Sequence, residues 1–316
     1  MRINIGIVGY GNLGKSVEKE ILKNKNFNLV SIFSRRQIIS VHGTTVEPYE
    51  NFKEYKNKID IMILCGGSLS DLEWQTREIS QFFDCINSFD THSKLKLELE
   101  TLSKITHNNH HRVIIACGWD PGIFSIVRSL FYTISHEEPI TFWGKGISMG
   151  HSDAIRKQPN VDDAVEFTIP NKVAVCKAKA GILDSSIPRH FRECYVVSNS
   201  KNKDLLTHQI KNIPNYFKGQ PTTVHYVSNL DLLKLKSKMS HKGEIVSNFL
   251  ISKNKNKMFF SVKMQSNPEF TARVMVAYTK AIVNMKKKNI SGAFTPVNIP
   301  ISFHFDENDT IATTLW

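Results

Sequence analysis

Short apolar runs alternate with segments of helical periodicity along the first third of the chain. Strands are predicted from the apolar runs at residues 3–8, 29–33, 59–64, near 85–87 and at 113–116. Helices are predicted between them, one through Val17, Ile21 and Leu22, one over 71–83 and one over about 93–106. Strands and helices that alternate in this way form a parallel, doubly wound sheet, so this part is predicted to be a Rossmann-type α/β domain.

The alternation stops after residue 122, where longer extended segments replace it. Residues 191–197 and 258–264 are two such segments, within a stretch from about 160 to 265 that predicts a mixed or antiparallel sheet. A last helical pattern over 270–285 is expected to pack back towards the first lobe. The predicted fold class is therefore α/β, with a doubly wound parallel sheet and a second, mixed α+β lobe.

Length and amino-acid composition limit the classes of protein to which the chain can belong. With 316 residues, 41% hydrophobic and 22% charged, the chain is long enough for two domains with a sizeable core. It has no long apolar run, and Met1-Arg2-Ile3-Asn4 leads directly into a strand, so we expect neither a membrane span nor a signal peptide. An odd number of cysteines without Cys-x-x-Cys spacing indicates reduced thiols in a cytoplasmic protein. They are Cys65, Cys85, Cys117, Cys176 and Cys194.

The formal net charge of +12 is compatible with a nucleic-acid binder or with an enzyme for anionic ligands. The lysines are scattered among asparagines, however, and no basic stripe with interleaved aromatic residues is present. We therefore interpret the charge as solvated surface and expect no nucleic-acid partner. The His- and Asn-rich segment 107–111 is interpreted as a loop, and no metal site is predicted, because no further ligands stand at metal-site spacing.

The first predicted strand ends in a Gly-x-Gly-x-x-Gly fingerprint, with a helix and a second strand after it, which is the context of a dinucleotide-binding βαβ unit. There Gly9 allows the tight turn, Gly11 lets the backbone approach the pyrophosphate, and Gly14 allows close packing of the helix on the strand. The helix start supplies backbone amides to the phosphates. The predicted cofactor contacts in the loops after the strands at 3–8 and 59–64 are Gly9, Tyr10, Gly11, Asn12, Leu13, Gly14, Cys65, Gly66, Gly67 and Ser68.

The end of the second strand distinguishes the two nicotinamide cofactors. An NAD site places Asp or Glu there to bind the ribose 2′-hydroxyl, whereas this chain has Ser34, Arg35 and Arg36 and no carboxylate. A hydroxyl and an arginine fork suit a 2′-phosphate, because planar guanidinium donors match phosphate geometry. The chain is therefore predicted to be an NADP(H)-dependent oxidoreductase, with these three residues as further cofactor contacts.

Two carboxylates follow neighbouring strands of the predicted sheet. Asp90 lies in Ser88-Phe89-Asp90-Thr91-His92, and Asp120 lies in Gly118-Trp119-Asp120-Pro121-Gly122. Open α/β sheets bind ligands beyond the carboxyl ends of their strands, so the pair could flank an ammonium group. Taken alone, each aspartate is more often a helix cap or a turn residue.

The fingerprint and the segments 33–36 and 118–122 belong to a longer ordered set. Its other members are Thr141-Phe142-Trp143-Gly144, Gly150-His151-Ser152-Asp153-Ala154, Asn267-Pro268-Glu269-Phe270-Thr271 and Ser291-Gly292-Ala293-Phe294-Thr295. The fingerprint is common to many enzymes, but the Trp-Gly and Gly-His-Ser-Asp-Ala segments are much more specific. Together the segments resemble the meso-diaminopimelate dehydrogenase family across nearly the whole chain, with few length changes.

This resemblance implies NADP-dependent oxidative deamination at the D-configured α-carbon of meso-2,6-diaminopimelate. The products would be L-2-amino-6-oxopimelate and ammonia, and the reverse reaction serves lysine and cell-wall precursor synthesis. By resemblance, Asp90 and Asp120 act at the reacting D-end, in a pocket shaped by Trp119, Trp143, Met149 and Gly150. The L-end would be bound by Thr168, Arg192, His241 and Asn267.

The resemblance also implies a homodimer and a division of the chain. The dinucleotide-binding domain is expected at 1–118, with the C-terminal segment of about 296–316 returning to it. Residues 119–150 and 268–295 are expected to form a dimerisation region, and 151–267 the substrate domain.

Two positions depart from the family pattern. Asn87 stands where an aspartate is frequent, and Met149 stands where a glutamine is frequent, which would change how the D-end carboxylate is held or how strictly the substrate is chosen. Three alternatives stay open: a dehydrogenase for another D-amino acid, a semialdehyde dehydrogenase with Cys117 as nucleophile, and a non-catalytic NADP(H)-binding protein.

Overall fold

The computed structural model describes residues 2–68, 70–237 and 240–305. It divides into two compact units. Unit 1 comprises the chain up to Ile126 and again from Pro268, and unit 2 comprises Val127–Asn267. Each unit has its own sheets and its own buried core.

The elements follow one another in this order along the chain. The strands are β1 (Ile3–Val8), β2 (Phe27–Ser34), β3 (Val46–Pro48), β4 (Ile61–Leu64), β5 (Asp84–Asn87), β6 (Arg112–Ile114), β7 (Ile140–Trp143), β8 (Gly146–Ser148), β9 (Val161–Pro170), β10 (His190–Ser198), β11 (Thr222–Tyr226), β12 (His241–Ile251), β13 (Asn254–Met264) and β14 (Gly292–Phe294). The helices are α1 (Asn12–Leu22), α2 (Leu72–Ile79), α3 (Leu95–Asn109), α4 (Ile123–Ser135), α5 (Met149–Arg156), α6 (Lys172–Lys179), α7 (Lys203–Lys211), α8 (Asn229–Lys236) and α9 (Asn267–Lys287). Short 3₁₀ helices occur at Tyr49–Tyr55, His92–Lys94, Pro296–Asn298 and Ile301–His304.

Unit 1 is built on a seven-stranded sheet in the order β14-β6-β5-β4-β1-β2-β3. All its strand pairs are parallel. Strand side chains alternate between the two faces, so that Ile61 and Ile63 contribute to one core and Met62 and Leu64 to the other. Helices α1 and α9 cover the first face, and α2 and α3 cover the second. The predicted doubly wound Rossmann-type sheet is confirmed.

Unit 2 contains a four-stranded sheet, β11-β10-β9-β8, and a three-stranded sheet, β13-β12-β7. Strand β10 pairs antiparallel with β9 and parallel with β11, and β12 pairs antiparallel with both of its neighbours. The predicted mixed α+β lobe is therefore confirmed. Ile155 of α5 and Leu206 and Ile210 of α7 pack against Ala164 and Cys194, which places one buried face of β9 and β10 under these helices.

Element boundaries differ from the sequence-based expectation in a few places. Helix α2 ends at Ile79, although the apolar pattern predicted a helix to residue 83, because Phe82 and Phe83 belong to a turn that leads into β5. Strands β3 and β14 were not predicted, since three residues are too few to produce an alternation pattern. Strand β14, in the range assigned to dimerisation, is an edge strand of the unit 1 sheet.

The dimerisation role of 119–150 and 268–295 and the domain limits at 118 and 267 stay predictions. The segment 296–316 was expected to return to the first domain. Residues 306–316 of this segment lie outside the described part of the chain. No helix within 2–68, 70–237 or 240–305 is long and apolar enough to cross a membrane.

Candidate active site

The loop after β1 has the geometry that its glycines require. Gly9 adopts a φ of +87°, which side chains rarely tolerate, and a Cβ at this position would lie 3.1 Å from the carbonyl carbon of Cys65. A Cβ on Gly14 would lie only 2.3 Å from the carbonyl oxygen of Gly9, so close packing of α1 on β1 excludes any larger residue. A Cβ on Gly11, in contrast, would meet nothing within 4 Å. The backbone at Gly11 therefore borders open space, as an approach to a pyrophosphate requires.

Helix α1 begins directly after this open position. Gly11 precedes its first residue, Asn12, and the carbonyl oxygen of Gly11 accepts the Lys15 amide at 3.0 Å. Helix starts supply amide donors and a positive dipole end to anions. Tyr10 is only 4% exposed, and its hydroxyl donates to Glu18 and accepts the Val41 amide. The Tyr10 side chain is thus engaged within the protein.

The end of β2 carries the predicted 2′-phosphate ligands. The Ser34 hydroxyl accepts the Arg36 amide at 3.1 Å, which curves the chain after the strand. Arg35 Nη2 lies 2.8 Å from Asp71 Oδ1, and its guanidinium lies 5.6 Å from the centre of the Trp74 ring. Both arginines are exposed. A pair of solvent-facing guanidinium groups at this strand end fits a 2′-phosphate.

The loop after β4 lies against the same fingerprint. Asp71 Oδ2 accepts the Gly67 amide at 3.2 Å, so one carboxylate connects this loop to Arg35. A Cβ on Gly66 would lie 2.8 Å from Asp71 Cβ and 2.6 Å from Gln75 Oε1, so a larger residue would require these neighbours to move. The Ser68 hydroxyl accepts the Asp90 amide at 2.8 Å. Of the four residues predicted here, Gly67 and Ser68 therefore connect the nucleotide loops to a predicted catalytic residue, and Cys65 and Gly66 lie against the Gly9 turn.

Asp90 and Asp120 lie on adjacent loops, because β5 and β6 are parallel neighbours in the sheet. The carbonyl oxygen of Asn87 accepts the Cys117 amide at 2.9 Å, which holds the two loops together. Asp120 belongs to a compact turn in which Gly122 has a φ of +133° and a Cβ there would lie 1.9 Å from the Gly118 carbonyl oxygen. Both carboxylates are partly exposed, and parallel topology delivers both to the carboxyl edge of the sheet.

The structure describes the residues that the resemblance assigns to the D-end within the unit to which each belongs. Trp119 belongs to unit 1, is 8% exposed, and packs edge-on against Phe124 at 5.1 Å. Trp143 belongs to unit 2, where its amide donates to His190 Nε2 at 2.8 Å and its ring lies 5.1 Å from the His190 ring. Met149, which is 38% exposed, and Gly150 form the first turn of α5.

The strongest polar cluster of unit 2 contains two of the predicted L-end residues. Thr168 of β9 stands opposite Arg192 of β10 in the antiparallel register. Arg192 Nη1 donates to the Thr168 hydroxyl and lies 3.5 Å from Glu166 Oε1. Thr168 Oγ1 in turn donates to both Glu166 oxygens, at 3.1 and 3.2 Å. Arg192 is 11% exposed on its side chain and Glu166 is 0% exposed, so this is a buried ion pair with a bridging hydroxyl.

His241 joins the same region through β8. Thr168 pairs with Gly146 on its other side, and a Cβ on Gly146 would lie 2.4 Å from His241 Cδ2. His241 is 4% exposed, and its Nδ1 lies 2.9 Å from the Lys242 carbonyl oxygen, which fixes the proton on Nδ1. The structure thus brings Thr168, Arg192 and His241 into one region, and it places Asn267 at the first residue of α9.

Two site residues were missed by the sequence analysis, Glu166 and His190. Burial raises the pKa of Glu166 to about 7, while Arg192 and Thr168 act to lower it. Burial and the nearby Arg192 lower the pKa of His190 to about 3, so His190 is a neutral acceptor for the Trp143 amide. Each stands two residues from a predicted ligand on the same strand face, and that period-2 spacing was the available signal.

His151, from the Gly-His-Ser-Asp-Ala segment, is a packing residue. Its Nδ1 lies 2.8 Å from the Ser148 hydroxyl, and its ring packs edge-on between Tyr216 and Phe217. Burial lowers the pKa of His151 to about 3, which keeps the ring neutral.

The thiol alternative does not fit the geometry. Cys117 is 0% exposed, and burial raises the pKa of its thiol well above the usual value, so it lacks the thiolate character of a nucleophile. Within the described residues, no group of three or more His, Cys, Asp or Glu side chains is arranged to hold a metal ion.

Comparison with known proteins gives a consistent result. Residues 118–266 match the family model described as the diaminopimelic acid dehydrogenase C-terminal domain. The meso-diaminopimelate D-dehydrogenase of Acetivibrio thermocellus is 38% identical over 313 residues, which cover 96% of this chain and 94% of that protein.

Solved structures agree over the full length. An engineered D-amino acid dehydrogenase bound to NADP+ is similar with a TM-score of 0.94 at 30% identity, covering 99% of both chains. The diaminopimelate dehydrogenase of Corynebacterium glutamicum in complex with diaminopimelate has a TM-score of 0.92 at 32% identity, covering 98% of both chains.

Proposed function

The chain belongs to the meso-diaminopimelate D-dehydrogenase family, and from that premise we propose the reaction that it catalyses. It is an NADP-dependent amino-acid dehydrogenase that reversibly deaminates meso-2,6-diaminopimelate at its D-centre. The products are L-2-amino-6-oxopimelate, which cyclises to tetrahydrodipicolinate, and ammonia. The reverse reaction serves lysine and peptidoglycan precursor synthesis.

NADP(H) is the cofactor. The open approach over Gly11, the start of α1 and the exposed Arg35 and Arg36 fit a dinucleotide with a 2′-phosphate. Bound NADP+ supplies the hydride acceptor. The protein's own contribution at this end is to hold the phosphates and the ribose so that the nicotinamide has one fixed orientation.

The observation that carries the substrate proposal is the buried Arg192–Thr168 pair in the β9–β10 register. A buried guanidinium is suited to bind a second carboxylate in a bidentate way, and the L-end of diaminopimelate provides one. A monoamino acid leaves such groups unpaired, at a cost of about 1–3 kcal/mol for each. We therefore assign Thr168, Arg192, His241 and Asn267 to the L-end, which selects a substrate with two amino-acid ends.

At the D-end, Asp90 and Asp120 accept hydrogen bonds from the reacting ammonium group. Hydride leaves the α-carbon once the nitrogen has lost a proton and can form an iminium. One carboxylate in contact with the amine takes that proton, and a carboxylate that is still ionised at that stage accepts a proton from the water that attacks the iminium carbon. By resemblance to the family, the D-end is also bound by Trp119, Trp143, Met149 and Gly150, and the apolar Met149 gives the D-carboxylate one hydrogen-bond partner fewer than a glutamine would.

The deciding experiment compares substrates by following NADPH formation. We expect turnover with meso-diaminopimelate, none with the LL-isomer, and much slower turnover with D-lysine or D-alanine. Arg192→Gln should raise the KM for meso-diaminopimelate by about 100-fold or more, since truncating one partner of a buried charge pair costs about 2–5 kcal/mol of binding, and should reduce the preference over D-lysine. Turnover of none of these amino acids would exclude the dehydrogenase and leave the non-catalytic alternative. Rapid turnover of D-lysine with an unchanged KM in Arg192→Gln would indicate a general D-amino acid dehydrogenase.

We further infer that the protein is a cytoplasmic homodimer. Leu130, Tyr132 and Ile134 of α4 are more than half exposed and lie in the segment assigned to dimerisation, which supports an apolar contact with a second copy. Light scattering of the purified chain should give twice the chain mass, and Leu130→Asp should shift it to the monomer. A wild-type monomer would contradict this assembly.

A further inference from the structure

Unit 2 contains a fully buried carboxylate, Glu166, to which the proposed reaction gives no role. Glu166 shares one face of β9 with Ala164 and Thr168, and its backbone amide donates to the Ser152 hydroxyl of α5 at 2.9 Å. Both of its side-chain oxygens accept from Thr168, and Oε1 faces Arg192. A buried charge is costly unless it is paired, so Glu166 and Arg192 compensate each other when no ligand is present.

Arg192 has bonding capacity beyond this pair. Its Nη1 is directed at Thr168 and Glu166. Its Nε is also buried, and no acceptor for it exists among the described residues. A planar guanidinium binds a carboxylate side-on through Nε and a terminal nitrogen. Arg192 can therefore contact an internal carboxylate with one edge and an incoming carboxylate with another.

We propose that Glu166 is the internal counter-charge of Arg192 and that it takes up a proton when the substrate's L-end carboxylate binds the same guanidinium. The proposal rests on the function proposed above, which makes Arg192 the ligand of that carboxylate. Two ionised carboxylates on one buried guanidinium repel each other, and protonation of Glu166 removes this repulsion. Glu166 is thus a positioning residue that makes substrate affinity depend on pH.

The surroundings of Glu166 leave Arg192 as its charged contact within the described part of the chain. The groups that face it from the packed elements are Thr168 of β9, Ser148 of β8, His151 and Ser152 of α5, and Arg192 and Cys194 of β10. The low pKa of His151 keeps it neutral, and burial raises the pKa of the Cys194 thiol, so it stays protonated.

Nearby charged side chains are paired or directed to solvent. Asp153 pairs with Arg156 on α5 at 3.5 Å, and Lys236 of α8 pairs with Asp163. Helix α7 buries its apolar residues on this face and exposes Lys211. His190, beyond Arg192, is neutral because burial lowers its pKa to about 3.

The direction of the pH dependence follows from the pKa of Glu166, which burial raises to about 7. Below that pH Glu166 already holds its proton, and substrate binds without proton uptake. Above it, binding requires a proton from solvent, and the affinity falls by up to about tenfold per pH unit.

The test is calorimetric binding of meso-diaminopimelate to the enzyme loaded with NADPH, which cannot oxidise the substrate. Titrations in two buffers of different ionisation enthalpy measure the protons taken up. We expect uptake to approach one proton near pH 8, and the affinity to fall by about tenfold from about pH 6 to about pH 8. In Glu166→Gln the uptake and the pH dependence should disappear, so that this variant binds more tightly than wild type at the higher pH.

Glu193→Gln is the matched control, because Glu193 is adjacent to Arg192 but bonds to Tyr195 on the other face of β10. It should keep the wild-type dependence. Wild-type binding without proton uptake would overturn the proposal, whether or not Glu166→Gln folds. If Arg192→Gln also binds as tightly as wild type, the L-end assignment itself is wrong. If it binds weakly while wild type takes up no proton, only the role of Glu166 is wrong.

Discussion

The cofactor end and the L-end of the substrate site are built in opposite ways. Most of the cofactor end comes from the consecutive residues 9–36, with the loop at 65–68 beside them, and its fit depends on backbone geometry at Gly9, Gly11 and Gly14. The L-end comes from strands that are distant in sequence, and its fit depends on the register that sets Thr168 against both Arg192 and Gly146. One end is therefore specified locally and the other by tertiary pairing.

The charges at the two ends also differ in their surroundings. Arg35 is 51% exposed on its side chain, whereas Arg192 is 11% exposed and its partner Glu166 is 0% exposed. Exposed charges are screened by water and exchange partners at little cost. Buried charges are neither screened nor free to change partner, so the L-end should respond to substitution and to pH more strongly than the cofactor end.

The largest expected effect concerns neither end but the carboxylates assigned to the chemical step. Asp120→Asn and Asp90→Asn should lower kcat for meso-diaminopimelate by about 10²–10⁴-fold, the usual contribution of a positioned acid or base. NADPH formation at saturating substrate measures this. Asp162→Asn, at an exposed position on β9, is the control and should keep full turnover. Near-normal kcat in both variants would mean that neither aspartate takes part in the chemical step, and the cofactor and L-end assignments would then stand without them.

The exposed arginines provide the next effect. Replacing Arg35 and Arg36 together by alanine should raise the KM for NADP+ by about 100-fold, since each charged hydrogen bond contributes about 1.5–3 kcal/mol. The KM for NAD+ should change little, because NAD+ lacks the 2′-phosphate. Arg273→Ala removes another exposed, ion-paired arginine and is the control. An equal rise in KM for NADP+ and NAD+ would mean that this strand end binds the nucleotide without a specific contact to the 2′-phosphate.

Substitution of two glycines of the fingerprint distinguishes an effect on cofactor binding from an effect on folding stability. Gly11→Ala should fold normally, because the new Cβ meets no protein atom within 4 Å and Gly11 has a φ of −87°. It should weaken NADP+ binding by about tenfold, since the methyl group enters the space of the pyrophosphate.

Gly14→Ala is the counterpart, because its Cβ would lie 2.3 Å from the Gly9 carbonyl oxygen. It should lower the free energy of unfolding by about 1–3 kcal/mol. Urea unfolding and fluorescence titration with NADPH measure the two properties in both variants. Unchanged NADPH affinity in Gly11→Ala would mean that the cofactor does not approach the backbone there.

The same contrast explains how much the sequence could predict. The spacing of Gly9, Gly11 and Gly14 predicted the βαβ unit, because the close approaches that require glycine occur within a few residues of each other. Parallel topology predicted that Asp90 and Asp120 come to one edge, since successive strands of such a sheet end on the same side.

Features that depend on register could not be predicted in this way. Apart from their two-residue spacing from a predicted ligand, Glu166 and His190 carry no local pattern, because their roles depend on partners on other strands, Arg192 for Glu166 and the Trp143 amide for His190. The pKa of each is set by burial under α5 and beside β7, which no short segment encodes. The three-residue strands β3 and β14 are likewise specified by their neighbours in the sheet.

The smallest expected effect concerns stability rather than activity. Burial lowers the pKa of His190 and of His151 to about 3 in the folded chain, whereas an unfolded histidine titrates near 6.5. Below about pH 6.5 the unfolded chain binds protons that the folded chain does not. Each histidine therefore lowers the free energy of unfolding by up to about 1.4 kcal/mol per pH unit as the pH falls.

Glu166 acts in the opposite direction. Its folded pKa is raised to about 7, so between its unfolded pKa and that value the folded chain holds the extra proton, and stability falls as the pH rises. The two slopes partly cancel in wild type, and variants are needed to separate them.

His190→Gln keeps an acceptor for the Trp143 amide but cannot titrate, so the loss of stability at acid pH should be smaller by the contribution of one histidine. Urea unfolding at about pH 6.5 and about pH 4.5 measures this. His208→Gln, on the exposed side of α7, is the matched control. An unchanged slope in His190→Gln would mean that this imidazole is charged in the folded protein and does not accept the Trp143 amide.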